Sequence, residues 1–303
     1  PGRMGTLITG GTGAIGRKLR ASLELGGEQV YVASRTPGDA STIVWDPKTS
    51  GSLEIPEDVT RVVHMAGAPI VGARWTKEYK QEILTSRVKG TRTVVQAIKA
   101  HGGIDHLLSG SAIGYYGDQG EQRLTESAAP GDDFLADVCQ AWEQEALKAN
   151  TVSPGTTVTL ARTGVVLDPE DGALAQMLNP FWIVKPFHWG LGGPLGSGRQ
   201  WFPWIHVEDE VRALAFLLKQ PVEGPVNLTA PNPVRNKVYT KALGKVLHRP
   251  TLLPIPKFAI QLLYGGAADL LFASQRVLPA RLEAEGFTFQ HPEIEAALHD
   301  LLG

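Results

Sequence analysis

Thr6-Leu7-Ile8-Thr9-Gly10-Gly11-Thr12-Gly13-Ala14-Ile15-Gly16 decides how the chain is read. Thr6 to Thr9 is a short β-favouring run that ends in glycines, and Ile15, Leu19 and Leu23 then recur at helical spacing. Strand, glycine-rich turn and helix follow in that order. Gly10, Gly13 and Gly16 let the backbone approach a pyrophosphate closely. The N–H groups and partial positive charge of the helix start then receive it. Such a glycine pattern is weak in isolation. Set between a strand and a helix, it predicts a dinucleotide site formed by Gly10, Gly13, Ala14, Ile15 and Gly16.

Working outward, the second strand candidate, Val30-Tyr31-Val32-Ala33, ends in Ser34-Arg35 and carries no acid. An acidic residue at that point hydrogen-bonds the ribose 2′-OH of NAD, whereas a cation accommodates the 2′-phosphate of NADP. Ser34 and Arg35 therefore predict NADP, with hydroxyl and guanidinium sharing the phosphate oxygens. Val59 to Met65, Ile104 to Ser109, Val158 to Arg162 and Val226 to Thr229 read as further strands. Between Tyr79 and Ala100 the apolar residues fall mostly on one helical face. Near-continuous apolar strands separated by helices predict an α/β fold, a Rossmann-like doubly wound parallel sheet. After Arg162 the texture changes, with Gly, Pro and Trp concentrated from Asn179 to Trp204. We expect residues 1–167 to form an NADP-binding domain and residues 168–303 mainly a smaller C-terminal substrate-binding domain. A strand near 225–230 is expected to return to the first sheet.

Composition narrows the partners. Lys plus Arg is 29 against 31 for Asp plus Glu, so the formal net charge of −2 argues against nucleic acid or a polybasic membrane surface. The single cysteine, Cys139, excludes an intrachain disulfide and a thiolate zinc site. No apolar stretch approaches the ~18 residues of a membrane span. These features predict an intracellular, cytoplasmic protein with a small-molecule substrate and with neither a nucleic-acid nor a membrane partner. The eight histidines show no His-Glu-x-x-His spacing, so no metal is expected, and no Gly-x-Ser-x-Gly elbow suggests a hydrolase.

The chain resembles the short-chain dehydrogenase/reductase superfamily, and within it the atypical extended branch of epimerase family proteins of type 39U. The likeness is carried by Gly10 to Gly16, Val62 to Ile70, Arg74-Trp75, Ser86-Arg87 and Ser111 to Gly117. It continues through Phe134-Leu135-Ala136, Trp142-Glu143, Arg162 to Leu167, Gly192 to Gly198, Trp204-Ile205-His206 and Gly286 to Phe289. The resemblance implies a Rossmann domain holding NADP and a smaller lobe closing over a substrate cleft. It further implies that Met65, Ala66 and Gly67 lie along the cofactor. Glu82 and Arg87 would help fix the nucleotide, and Val166 would sit beside the nicotinamide.

The pattern then departs from that superfamily. Its reductases use Tyr-x-x-x-Lys, where the cation lowers the tyrosine pKa for proton transfer. None of the six tyrosines has a lysine four residues later. Alignment on Glu143 puts Leu135 at the tyrosine position and Cys139 at the lysine position. Extended members often carry Asn-Val-x-Gly-Thr, and here Arg87 replaces the Asn. Tyr116 and Ser111 remain as catalytic candidates, although Ala112 falls closest to the usual serine. His188-Trp189-Gly190, Trp201 and Trp204 read either as a substrate wall or as a hydrophobic staple, and His206 as a turn lock. Two functions stay open: an NADP-dependent oxidoreductase or epimerase with a nonstandard proton donor, acting on a small polar substrate between the domains, or a catalytically silent NADP-binding sensor or scaffold.

Overall fold

The computed structural model describes residues 4–49, 51–70, 73–178 and 192–303. The chain starts with β1 (Gly5–Thr9), α1 (Ala14–Leu25), β2 (Gln29–Ser34), β3 (Thr42–Val44) and β4 (Val59–His64). Next come α2 (Lys77–His101), β5 (His106–Ala112), a 3-10 turn at Ile113–Tyr116, β6 (Arg123–Leu124), α3 (Phe134–Val152) and β7 (Thr157–Thr163). Seven strands form one parallel sheet in the order β11-β7-β5-β4-β1-β2-β3, with β11 (Gly224–Leu228) at its outer edge. From β1 the chain winds outward to β3 and then returns to β4 on the other side. The strand order therefore reverses between β1 and β4, and a crevice opens outside their carboxyl ends. This is a Rossmann-like α/β fold.

Both faces of the sheet are covered, which is why its strands read as continuous apolar runs. On one face Leu19 and Leu23 of α1 pack with Leu214, Leu217 and Leu218 of α5 (Val207–Lys219) around Ile8 and Val63. On the other, Val94, Val95 and Ile98 of α2 and Ala146 and Ala149 of α3 cover Leu7, Val62 and Leu107. Each fully buried Leu, Ile or Val side chain contributes about 1.5–3 kcal/mol. The helix ends are set locally. Thr76 accepts from the Tyr79 amide at the start of α2, Gly102 closes that helix at φ 72°, and Asp133 accepts from the Ala136 amide to start α3.

The later segments build a smaller cluster beside the carboxyl end of the sheet. β8 (Val165–Leu167) pairs in parallel with β10 (Trp204–His206), and β9 (Trp201–Phe202) pairs with β12 (Val234–Arg235). α4 (Gly172–Leu178), α6 (Asn236–Val246) and α10 (Ile294–Leu302) bury Leu174, Tyr239, Leu243 and Leu298 around Trp204. α7 (Lys257–Tyr264), α8 (Ala268–Phe272), β13 (Arg276–Val277) and α9 (Ala280–Ala284) complete the chain, and β13 pairs with β6. Among the described residues no helix is long and apolar enough to cross a membrane.

Candidate functional site

A cavity of about 280 Å³ opens at the carboxyl ends of β1, β2 and β4. Its lining includes Gly10, Thr12, Gly13, Ser34, Arg35, Met65, Ala66, Gly67 and Glu82. Gly10 has φ 71°, and a Cβ there would lie 3.0 Å from the Ala66 nitrogen, so only glycine lets the two loops touch. A Cβ on Gly16 would lie 2.5 Å from the Gly10 carbonyl oxygen, which fixes the helix tightly under the loop. α1 begins without a side-chain cap at Gly13 and with no acid in its first turn. Its first amides are thus left for an anion. Ala14 is buried and Ile15 packs on the core, so both shape the helix start from within.

The turn after β4 is held by a buried chain. The Thr9 hydroxyl accepts from the Met65 and Ala66 amides at 3.1 and 3.3 Å and bonds His64 Nδ1 at 2.7 Å. His64 Nε2 bonds the Thr91 hydroxyl at 2.9 Å. Burial, reinforced by the Arg87 charge, pushes the His64 pKa down to about 3, so this imidazole is neutral. Arg87 corrects an expectation. It is buried behind Gly67, donates to the Ala68 and Ile83 carbonyls at 2.9 and 3.3 Å, and lies over the Trp142 ring at 4.9 Å. It braces the loop and does not line the cavity. Glu82 does line it, paired with Lys48.

A second cavity, of about 310 Å³, has Ile70 in its wall, the chain neighbour of Pro69 in the first. Val166 lines it together with Ala112, Leu135, Cys139, Thr163, Gln200, Trp201 and Gln275. Leu135 and Cys139 thus occupy the wall where the tyrosine and lysine of the usual pair are expected. Burial pushes the Cys139 thiol up to about 12, so it remains a protonated, inert group.

Ser111 and Tyr116 turn away from this cavity. Ser111 donates to Glu143 Oε1 at 2.7 Å. Tyr116 has no exposed surface; its hydroxyl donates to Asn227 Oδ1 at 2.7 Å and accepts from Arg162 at 3.1 Å. Burial drives its pKa up to about 12, although Arg162 works in the opposite direction. Strand alternation explains the placement of Ser111: it pairs with Arg162 in the ladder, and the next residues, Ala112 and Thr163, face the other way.

A sequence model of the NAD dependent epimerase/dehydratase family matches residues 6–229. The chain belongs to that family. A second model, described as a domain of unknown function (DUF1731), matches residues 255–301. An epimerase family protein of Mycobacterium bovis is 40% identical over 296 residues, covering 96% of this chain and 95% of the relative. The chloroplastic SDR39U1 homologue of Arabidopsis thaliana is 40% identical over 313 residues, covering 99% and 87%. The crystal structure of human epimerase family protein SDR39U1 (isoform 2) with NADPH superposes at a TM-score of 0.88 with 33% identity, covering 99% of both chains. Family membership is therefore of the SDR39U type.

The C-terminal lobe offers few polar groups to the second cavity. Trp201 lies at its edge between the guanidinium groups of Arg235 and Arg276, at 4.6 and 4.4 Å, and donates to Glu121 at 3.0 Å. Trp204 is buried and packs in the small cluster, as a staple does. His188-Trp189-Gly190 lies outside the described residues. His206 caps α5, accepting from the Glu208 amide at 2.9 Å, and bonds Asp300 at 2.9 Å. Its ring stacks on His291 at 3.6 Å and 9°, with Glu208 bonded to His291. These four side chains have the composition of a metal site, yet the in-plane lone pairs of two stacked rings do not converge on one ion. The cluster works as a clamp between α5 and α10.

Sequence reasoning missed Lys48, Thr163 and Glu210. No spacing links Lys48 to Glu82 across 34 positions, or Thr163 to Glu210 across 47.

Proposed function

We propose that this chain is an NADP-dependent oxidoreductase of the extended short-chain type, acting on a small molecule with one reducible or oxidisable group on an otherwise apolar body. One observation carries the reading: Gly10, Gly13, Ser34, Arg35 and Met65 to Gly67 line a single cavity at an uncapped helix start. The groups fit a dinucleotide. The α1 amides and Gly13 would take the pyrophosphate, Ser34 and Arg35 the adenosine phosphate, and Val166 would bound the nicotinamide end. When bound, such a cofactor supplies or accepts hydride. The protein's share is to orient the reacting carbon, exclude water and move a proton. The largely apolar wall of the second cavity favours a substrate less polar than the sequence suggested. The NADPH held by the human relative supports the choice of NADP over NAD.

Calorimetric titration with NADPH and NADH tests this. Arg35→Ala should weaken NADPH by about 1.5–3 kcal/mol and leave NADH nearly unchanged, since a charged hydrogen bond to the phosphate is lost. Equal losses would remove the phosphate assignment. NADPH oxidation with a panel of aldehydes, ketones and quinones then separates enzyme from sensor. The sensor reading draws its support from Leu135 and Cys139, which leave the usual proton relay empty. Selective binding without turnover across the panel would favour it.

A further inference from the structure

The second cavity has one wall hydroxyl with a carboxyl directly behind it. Thr163 ends β7, pairs with Ala112 on β5 and Leu228 on β11, and lines the cavity near Val166. Its Oγ1 bonds Glu210 Oε1 at 2.8 Å. Glu210, in the first turn of α5, is 1% exposed, and its Oε2 has no hydrogen-bond partner.

Among the described residues no cation offsets this carboxyl. On α1, Lys18 pairs with Asp168 at 2.7 Å, Arg17 donates to the Thr12 carbonyl, and Arg20 pairs with Glu24 and Asp39. On α5 itself Arg212 pairs with Asp209 at 2.7 Å, and Glu208 bonds His291. His206 of β10 bonds Asp300, and His106 of β5 bonds Thr159 at 2.8 Å. Burial alone lifts the Glu210 pKa to about 8, against the hydrogen bond from Thr163, so near neutral pH it is largely a neutral acid. A neutral buried acid with a free oxygen, touching a hydroxyl in a cavity wall, is a proton store.

We propose that Thr163 and Glu210 are the proton-transfer pair of this cavity, Thr163 as the catalytic residue at the substrate oxygen and Glu210 as the positioning acid behind it; this rests on the nicotinamide-dependent reading above. In carbonyl reduction, hydride enters the carbonyl carbon from the reduced dinucleotide and the C=O π bond breaks. The electron pair left on oxygen takes the Thr163 hydroxyl proton, and Thr163 takes the Glu210 proton. The carboxylate then balances the positive charge gained by the oxidised ring, and water reprotonates it after product leaves. Because a hydroxyl rotates about its C–O bond, the pair passes a proton in either direction, and alcohol oxidation is the reverse. Leu135 and Ala112 carry no exchangeable side-chain proton, burial keeps the Cys139 thiol from giving up its own, and the Tyr239 hydroxyl of the same wall donates to Met177 Sδ; among the described lining residues, Thr163 is the one whose hydroxyl bonds a buried acid.

The test is proton linkage, read without turnover. NADP+ and NADPH are titrated calorimetrically at pH 7.5 in two buffers of different ionisation enthalpy, with wild type, Glu210→Gln and Thr163→Val. Wild type should release a substantial fraction of one proton on binding NADP+, whose cationic ring favours the carboxylate, and none on binding NADPH. Glu210→Gln, which imitates the neutral acid, should keep NADPH affinity within about twofold and release no proton. An infrared carboxylic C=O band should be present in wild type at pH 6, absent in Glu210→Gln and shifted in Thr163→Val. Binding of both dinucleotides with equal proton release, or release that survives Glu210→Gln, overturns the pair alone. Absence of binding by either dinucleotide overturns the cofactor reading and this proposal with it.

Discussion

Arg162 reaches Glu143 with two nitrogens, Nε to Oε1 at 2.7 Å and Nη2 to Oε2 at 2.8 Å, and both side chains are almost fully buried. Burial acts to lower the Arg162 pKa, but the Glu143 carboxylate outweighs it and holds the guanidinium charged. Ser111 and Tyr116 complete the network, so the two residues that invite a catalytic reading instead fasten β5, β7 and α3 together. Glu143→Ala would leave a buried guanidinium unpaired and should cost about 3–5 kcal/mol in urea denaturation. A cost below about 1 kcal/mol would mean that water reaches the pair. At this scale the sequence is legible where a residue type alone decides, as at Gly10, whose positive φ and close approach to Ala66 need glycine. It is silent where a partner is needed: nothing in the order of residues says that Tyr116 faces Asn227 and not the cavity.

Elements are legible where a period repeats or a cap has a local cause. β1, β2 and β4 fall within two residues of their expected spans. β5 runs on to Ala112, three residues beyond the expected Ser109, because its ladder with β7 continues through Gly110 and Ser111, which carry no strand signal of their own. β3 is three residues long, too short for a period to show. The turn between β1 and α1 gives the sharpest test of how tightly elements are fitted. Gly16→Ala places a methyl 2.5 Å from the Gly10 carbonyl and the Gly11 Cα, so the loop must shift away from the helix. We expect a loss of about 1–3 kcal/mol in stability from overpacking. The NADPH affinity loss should be at least tenfold, read by titration beside a thermal melt. Stability lost with affinity intact would separate the loop from the cofactor.

For the molecule as a whole, four buried groups among the described residues, His64, His106, His206 and Glu210, shape the pH dependence of folding between pH 5 and 8. Burial lowers the pKa of His64 to about 3 and of His106 to about 4, each from a usual 6.5, and also lowers that of His206, against the pull of Asp300. Below pH 6.5 the unfolded chain binds protons that these folded imidazoles refuse. Each then removes about 1.4 kcal/mol per pH unit until its own folded pKa is reached. Glu210 has the opposite sign: its folded pKa of about 8 lies above the usual 4.5, so the native state holds an extra proton. Its contribution is complete below pH 4.5 and is lost as pH rises through 8. Between pH 5 and 6.5 the imidazoles outweigh it and stability climbs with pH; between 6.5 and 8 only Glu210 acts among these four, and stability falls. The urea midpoint, followed across buffers from pH 5 to 8, should therefore peak near pH 6.5. Glu210→Gln should flatten the alkaline limb and leave the acid limb intact, while His64→Gln should make the acid limb shallower. An alkaline limb unchanged in Glu210→Gln would mean that the carboxyl is ionised in the native state, and the proton held behind Thr163 would then have to be sought elsewhere.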